Sequence, residues 1–109
     1  MEEFKKSKAI QKQFVKNANE FFESLGFIPA DASERYDFKI KTKIGFFYIR
    51  VDDDNSYMFA VYGNFLENPK EAKKKFSHWK QNYHTTTSVS EAITEIKNHY
   101  TNILKIANQ

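Results

Sequence analysis

The sequence contains no cysteine, only three glycines and only two prolines among 109 residues. The lack of cysteine excludes a disulfide framework and a zinc site with thiolate ligands, so packing alone must hold the fold. No stretch approaches the roughly 20 apolar residues that cross a bilayer, and the N-terminal MEEFKKSKAI has no apolar run of signal-peptide type. We therefore expect a soluble protein of a reducing compartment, the cytoplasm.

The common catalytic motifs are also lacking. There is no glycine-rich phosphate-binding loop, no His-Glu-x-x-His metal motif and no Gly-x-Ser-x-Gly nucleophile motif. The imidazoles belong to His78, His84 and His99, and a histidine pair assisted by a lysine could cleave RNA by general acid–base catalysis. We expect a protein without enzymatic activity or cofactor, and keep a His-dependent ribonuclease as an alternative.

Three consecutive aspartates, Asp52, Asp53 and Asp54, invite a metal-binding interpretation, because clustered carboxylates are ligands for hard cations. A calcium loop needs alternating ligands closed by a distant glutamate, and none follows at the required spacing. The composition of residues 52–56 favours a solvated hairpin turn instead. We therefore expect no metal site.

Aromatic residues are plentiful: 11 Phe, 6 Tyr and 1 Trp make 17% of the chain. Large rings supply much apolar area to a small core, so this composition argues against disorder although 28% of the residues are charged. At this length we expect one domain over residues 1–109 with a single core.

Residues 2–25 are predicted to form one long helix that ends at Gly26. Its apolar face is formed at spacings of three and four by Phe4, Ile10, Phe14, Ala18, Phe21, Phe22 and Leu25. The opposite face carries a stripe of Lys5, Lys8, Lys12 and Lys16, which is typical of a solvated helix surface. Because of its many phenylalanines, this helix could also pack against a second copy in a homodimer.

Alternation of apolar and polar residues then predicts two antiparallel strands, residues 36–41 and 47–51, joined by a turn near Lys43–Gly45. Residues 57–65 are rich in aromatic and β-branched residues and are predicted to add a third strand. A second helix is predicted over residues 69–81, with Asn68 as N-cap and Pro69 at its first position. A third follows the Ser88-x-x-Glu91 capping box. The fold class is α+β, in the order α-β-β-β-α-α, with helices on the sheet.

Charge is uneven although the net charge is only +3. Residues 68–84 contain five lysines and one glutamate, whereas residues 46–67 are acidic. The basic segment mixes lysines with aromatic and imidazole side chains, a pattern that nucleic-acid surfaces use for phosphates and bases. The candidate contact residues are Lys70, Lys73, Lys74, Lys80, Trp79, Tyr83, His78 and His84. The alternative is that Phe76, Trp79 and Tyr83 form a buried helical stripe and the lysines cover it.

The string Pro-Lys-Glu-Ala-Lys-Lys-Lys at residues 69–75 resembles the second helix of a double-stranded-RNA-binding domain. That family runs helix, three strands, helix, and the resemblance implies phosphate contacts by Lys70, Lys73 and Lys74. The sequence departs from the family in lacking the glycine-rich approach to this helix and in carrying an additional helix. About half of the chain is covered.

A second resemblance is to the small accessory proteins of bacteriophages and mobile elements. It is carried by residues 57–65, Asn68-Pro69-Lys70 and the segment from Trp79 to His84. Some characterised members are anti-CRISPR inhibitors, so the resemblance implies an inhibitor of a bacterial protein or ribonucleoprotein, such as a CRISPR effector or its guide RNA. In that setting Asp52, Asp53 and Asp54 could act as a small phosphate mimic. The resemblance places the protein in the cytoplasm of a bacterial host; a direct RNA-binding module is the alternative function.

Overall fold

The computed structural model describes residues 7–34, 36–55, 58–66, 80–83 and 88–109. Within these ranges the chain forms two helices and a five-stranded antiparallel sheet, which confirms an α+β fold. The elements in chain order are α1 (Lys8–Ser24), β1 (Ile28–Pro29), β2 (Phe38–Thr42), β3 (Gly45–Asn55), β4 (Met58–Leu66), β5 (Lys80–Tyr83) and α2 (Val89–Ala107). Neither helix in the described ranges is long and apolar enough to cross a membrane.

Helix α1 begins at Lys8, directly after its N-cap Ser7. Residues 2–6 of the predicted helix, with Phe4 and Lys5, lie outside the described residues. Ser7 has extended backbone, with φ −81 and ψ 164, and its hydroxyl accepts a hydrogen bond from the Ile10 N–H at 3.2 Å. A serine in this position satisfies one of the N–H groups that lack a partner in the first turn of a helix.

The C-terminal end of α1 confirms the prediction made for Gly26, which has φ 96. The Gly26 N–H donates to the Glu23 carbonyl at 3.0 Å, and the Phe27 N–H donates to the Phe22 carbonyl at 3.1 Å. These two bonds form a Schellman motif, and the rings of Phe22 and Phe27 supply its apolar contact at 5.4 Å between centroids.

The sheet has the order β1-β2-β3-β4-β5, so each strand pairs with its neighbour in sequence. The meander of β2, β3 and β4 contains three antiparallel strands in the predicted order, but their bounds differ from the predicted ranges of residues 36–41, 47–51 and 57–65. Two strands, β1 and β5, were not predicted. β1 is only two residues long and pairs Ile28 with Lys39 and Pro29 with Phe38 of β2.

The three aspartates at residues 52–54 lie in β3, so the prediction of a turn at these residues is wrong. β3 continues to Asn55, which pairs with Met58 of β4, and the pairing register shifts between Asp52 and Asn55. Pairing with β4 outweighs the preference of aspartate for turns, and a register shift of this kind accommodates residues that fit a regular strand poorly.

Strand β5 corrects the prediction that a helix extends to Gln81. Its residues pair antiparallel with β4, with Lys80 opposite Tyr62 and Tyr83 opposite Phe59. Aromatic spacing suggested a helical stripe through Tyr83, but the available edge of β4 supplies backbone partners for an extended segment. The predicted start of that helix, at Asn68 and Pro69, lies outside the described residues.

Helix α2 confirms the third predicted helix and its cap. The Ser88 hydroxyl accepts a hydrogen bond from the Glu91 N–H at 3.2 Å. The buried residues of the helix recur at helical spacing and are Ala92, Ile93, Ile96, Tyr100, Leu104 and Ala107.

The main core lies between the two helices and one face of the sheet. Phe22 of α1 is fully buried at its centre, with ring centroids 6.4 Å from Phe38 of β2 and 5.3 Å from Tyr100 of α2. Phe14 stacks on Phe59 of β4 at 4.2 Å. Phe14 and Phe22 are therefore core residues, and these two phenylalanines are not available for contact with a second copy.

Candidate contact surface

The loop between β1 and β2 packs on the second face of the sheet, opposite the helices. Tyr36 lies over Tyr48 of β3 with 5.3 Å between ring centroids, and Tyr48 is fully buried. The loop is closed by a hydrogen bond from the Ala30 N–H to the Asp37 carbonyl at 2.9 Å. The Asp37 carboxylate accepts another from the Val51 N–H at 2.9 Å. These contacts fix the loop on the sheet.

Asp31 and Glu34 of this loop form a polar group with Lys39 of β2 and Tyr48 of β3, and we call it the Glu34 cluster. The side chain of Glu34 is only 3% exposed. Its carboxylate accepts hydrogen bonds from the Asp31 N–H at 2.7 Å and from the Lys39 ammonium at 3.0 Å. The ammonium is also 3.6 Å from the Asp31 carboxylate. The buried negative charge is thus paired and hydrogen-bonded, as burial requires.

Three members of the Glu34 cluster, Glu34, Lys39 and Tyr48, have shifted pKa values. Burial alone would raise the pKa of Glu34, but the Tyr48 hydroxyl, the Asp31 N–H and the Lys39 ammonium together lower it. The hydrogen bond to Glu34 raises the pKa of Lys39 against the effect of burial. Burial, followed by the Glu34 carboxylate, raises the pKa of Tyr48.

The Tyr48 hydroxyl is close enough to Glu34 for this influence, but the two groups do not meet the geometry of a formed hydrogen bond. The hydroxyl has no hydrogen-bond partner in the described part of the chain. Near neutral pH Glu34 is therefore a carboxylate, Lys39 an ammonium and Tyr48 a neutral phenol. Each of the three pKa shifts moves the titration of its group further from neutral pH. The physical effect of the Glu34 cluster is to hold the loop on the sheet.

The turn between β2 and β3 presents an exposed surface on a fixed backbone. Thr42 pairs with Gly45, which leaves Lys43 and Ile44 as the two turn residues. The Thr42 hydroxyl donates to the Gly45 carbonyl at 2.6 Å and accepts from the Ile44 N–H at 3.3 Å. Gly45 has φ 135, a conformation that L side chains rarely adopt.

We call Lys41, Lys43 and Ile44 the hairpin tip. Both lysines are exposed, and 58% of the Ile44 surface is accessible. A turn with one exposed apolar side chain and two exposed lysines can insert the apolar group into a pocket with an acidic rim, or contact a polyanion through the lysines. Because the backbone is already fixed, little ordering is needed on binding.

Grooves border both helices. One of about 490 Å³ lies between α1 and α2 and is lined by Asn17, Phe21 and Ile93 among others. A more open groove of about 590 Å³ runs along the outer face of α1. A smaller, apolar cavity of about 250 Å³ lies between β4 and α2, where Phe47, Phe65 and Ile103 contribute to its wall.

The residues predicted from the sequence as a contact surface are placed only in part. Lys80 and Tyr83 lie on β5, and Asp52, Asp53 and Asp54 lie on β3. The other predicted contact residues, Lys70, Lys73, Lys74, His78, Trp79 and His84, lie outside the described residues. Whether this segment contacts a partner stays a prediction.

His99 is the histidine that the structure describes. It lies half-buried in α2, its ring is 5.1 Å from that of Tyr100, and burial lowers its pKa. Residues 7–34, 36–55, 58–66, 80–83 and 88–109 contain no group of three or more side chains arranged to hold a metal ion.

Sequence reasoning missed both the Glu34 cluster and the hairpin tip as features. Alternation along β3 placed Tyr48 on the polar side of the strand, and no local pattern indicates that a preceding loop covers that side. The hairpin tip had a usable signal, since Ile44 is an apolar residue that follows Lys41 and Lys43 in a predicted turn. Comparison with protein-family models, curated proteins and solved structures finds no match to this chain.

Proposed function

We propose that this chain is a non-enzymatic binding protein that inhibits a bacterial protein or ribonucleoprotein, in its most concrete form an anti-CRISPR-like inhibitor. The observation that supports binding is the hairpin tip, which presents the exposed Ile44 directly after the exposed Lys41 and Lys43 on a constrained turn. Inhibition itself is carried over from the resemblance of residues 57–84 to phage accessory proteins.

The partner surface that suits the tip is acidic around an apolar depression. Lys41 and Lys43 attract such a surface and orient it, and burial of Ile44 then adds the non-polar contribution. Complete burial of an isoleucine contributes about 1.5–3 kcal/mol, so one anchor of this kind has a measurable effect on affinity.

A plasmid-interference assay tests the proposal. The chain is expressed in a bacterium whose CRISPR effector destroys a targeted plasmid, and plasmid survival is counted. Wild type should protect the plasmid, and the triple variant Lys41→Glu, Lys43→Glu, Ile44→Asp should not. The matched control is Lys97→Glu, Lys105→Glu, Ile106→Asp, which makes the same changes at exposed positions of α2.

Affinity capture from the same cells, with and without ribonuclease, separates protein from RNA targets. If wild type neither protects the plasmid nor recovers a protein or nucleoprotein that the tip variant loses, the proposal is wrong.

Direct RNA binding is the second candidate. It is supported by the exposed Lys41 and Lys43 and by the placement of Lys80 opposite Tyr62 at the start of β5. Binding to single-stranded RNA should weaken steeply with salt, and the logarithmic slope should fall by about 0.7 for each phosphate contact removed. Electrophoretic shift assays compare wild type with three double variants. The first, Lys41→Ala with Lys43→Ala, changes the hairpin tip. The second, Lys73→Ala with Lys74→Ala, changes two phosphate contacts predicted from the sequence, and the third, Lys97→Ala with Lys105→Ala, is the control. Absence of a shift at moderate salt contradicts this candidate.

A further inference from the structure

The outer face of α1 carries its charges in an order that does not favour the helix itself. Lys12 and Lys16 lie in the N-terminal half, and Glu20 and Glu23 lie in the C-terminal half; all four are exposed. The first turn has no acidic residue and the last turn has no basic residue. Because the N-terminus of a helix is the positive end of its dipole, this order is unfavourable for an isolated helix.

Spacing within the helix offsets this order at one place, because Lys16 and Glu20 are four residues apart and attract each other. Lys12 and Lys16, at a spacing of four, repel each other, as do Glu20 and Glu23 at a spacing of three. Lys39 forms ion pairs with Glu34 and Asp31, and neither pair involves these four side chains. The stripe therefore has a basic end and an acidic end, both open to an outside partner.

The same side chains line the groove of about 590 Å³ on this face. Gln11, Val15 and Asn19 complete its lining, and Val15 supplies a half-buried apolar surface. The amide oxygen of Asn19 is buried and accepts no hydrogen bond from any residue in the described ranges. A groove with a basic end, an acidic end and an apolar strip between them fits a helix whose charges run in the opposite direction.

A second α1 helix has that property when it lies antiparallel to the first. With the twofold axis between residues 17 and 18, Lys12 faces Glu23 of the second copy, and symmetry repeats the pair. Lys16 then faces Asn19 of the second copy, next to Glu20 of that copy. A parallel arrangement would instead place lysine against lysine and glutamate against glutamate. Antiparallel helices also align their dipoles favourably.

We propose that two copies of this chain associate through antiparallel α1 helices, with the Lys12–Glu23 pairs fixing the register. This goes beyond the proposed function and does not depend on it. The interface is a self-complementary twofold contact, in which the same surface of both copies takes part. A single helix pair lies at the small end of specific interfaces, so the dimer depends on protein concentration and weakens with salt.

Sedimentation equilibrium over a range of concentrations tests the association. At low salt the apparent mass of wild type should rise from 12.9 kDa towards twice that value, and high salt should lower it. Two double variants should each stay monomeric. One carries Lys12→Glu and Lys16→Glu, and the other carries Glu20→Lys and Glu23→Lys. An equimolar mixture of the two variants should restore the dimer. The control Lys43→Glu, Lys97→Glu makes the same charge change elsewhere and should dimerise as wild type does.

Cysteine cross-linking tests the orientation, because the chain has no cysteine of its own. Under mild oxidation a mixture of Lys12→Cys and Glu23→Cys chains should give a covalent dimer, whereas neither variant alone should. In that mixed dimer one Lys12–Glu23 pair is retained. Circular dichroism confirms that each variant is folded.

Three results would overturn the inference. They are a wild type that stays monomeric at low salt and high concentration, a dimer that survives both charge reversals, and cross-linking of Lys12→Cys to itself. In none of these cases is the inhibition assay affected, so the two proposals fail separately.

Discussion

The Glu34 carboxylate accepts a hydrogen bond from the Lys39 ammonium at 3.0 Å beneath the loop that joins β1 to β2. The two residues are five apart in sequence, and their contact brings the loop back onto the strand that follows it. Lys39 also pairs with Ile28 of β1 through the backbone register. Lys39 thus connects the edge strand β1, the loop and the second face of the sheet.

Glu34→Gln should destabilise the protein by about 1–2 kcal/mol. Removing one partner of a buried ion pair leaves the other charge inadequately compensated. Here a single loop covers Glu34, and the Lys39 side chain is 19% exposed. The loss of stability should therefore be smaller than for a deeply buried pair. Urea denaturation measures the change. Glu20→Gln makes the same substitution at an exposed site and should shift the unfolding free energy by less than about 0.5 kcal/mol. Equal effects of the two substitutions would contradict the assignment.

Stability should fall in acid because of Glu34. Its pKa in the folded protein is lower than the usual value of 4.5, so as pH falls the unfolded chain binds the proton first. The contribution of Glu34 is complete above pH 4.5 and is lost as pH falls through the lower folded pKa. Denaturation of wild type and Glu34→Gln between about pH 3 and 7 should show their difference shrinking at the acid end. A difference that stays constant over this range would mean that the carboxylate charge has no part in it.

Tyr48→Phe should change the free energy of unfolding by less than about 1 kcal/mol in either direction. The Tyr48 hydroxyl is buried and without a hydrogen-bond partner among the described residues, so its removal ends a desolvation cost and keeps the ring contacts with Tyr36 and Phe46. Its removal also takes away a group that lowers the pKa of Glu34, and the two effects oppose each other. The measurement is again urea denaturation, compared with Tyr48→Leu, which also removes the ring and should destabilise. A large loss for Tyr48→Phe would show that the hydroxyl does donate a hydrogen bond, with Glu34 as its acceptor.

The sequence predicts the parts of this fold that local chemistry determines. Gly26 ends α1, Ser88 caps α2, and Lys43 and Ile44 form the turn of a hairpin, since each needs only the preferences of neighbouring residues. β5 could not be predicted in this way, because its extended conformation depends on pairing with β4 some twenty residues earlier. The Glu34 cluster was missed for a similar reason, as burial of Glu34 depends on a loop returning to the sheet.

Stability should also decrease because of His99 as pH falls below the usual imidazole pKa of 6.5. Burial lowers its pKa below the usual 6.5, so the folded protein keeps the imidazole neutral while the unfolded chain takes up a proton. The loss begins below pH 6.5 and is complete once the pH is below the folded pKa. His99→Gln should remove this part of the decrease in stability and leave the decrease at lower pH that is due to Glu34. Thermal unfolding followed by circular dichroism separates the two, and a profile of His99→Gln identical in shape to that of wild type would contradict the prediction.

Thr42→Val should loosen the hairpin tip without unfolding the protein. The hydroxyl that bridges the Gly45 carbonyl and the Ile44 N–H is lost while the shape of the side chain is kept, which should cost about 1 kcal/mol. The Ile44 amide should then exchange its hydrogen faster, because its hydrogen-bond partner is gone, whereas amides of the paired strands β3 and β4 should exchange as before. Thr42→Ser keeps the hydroxyl and should restore slow exchange at Ile44. If tip rigidity contributes to binding, Thr42→Val should also weaken capture of the target more than Thr42→Ser does. Unchanged exchange at Ile44 in Thr42→Val would show that β2–β3 pairing alone fixes the turn.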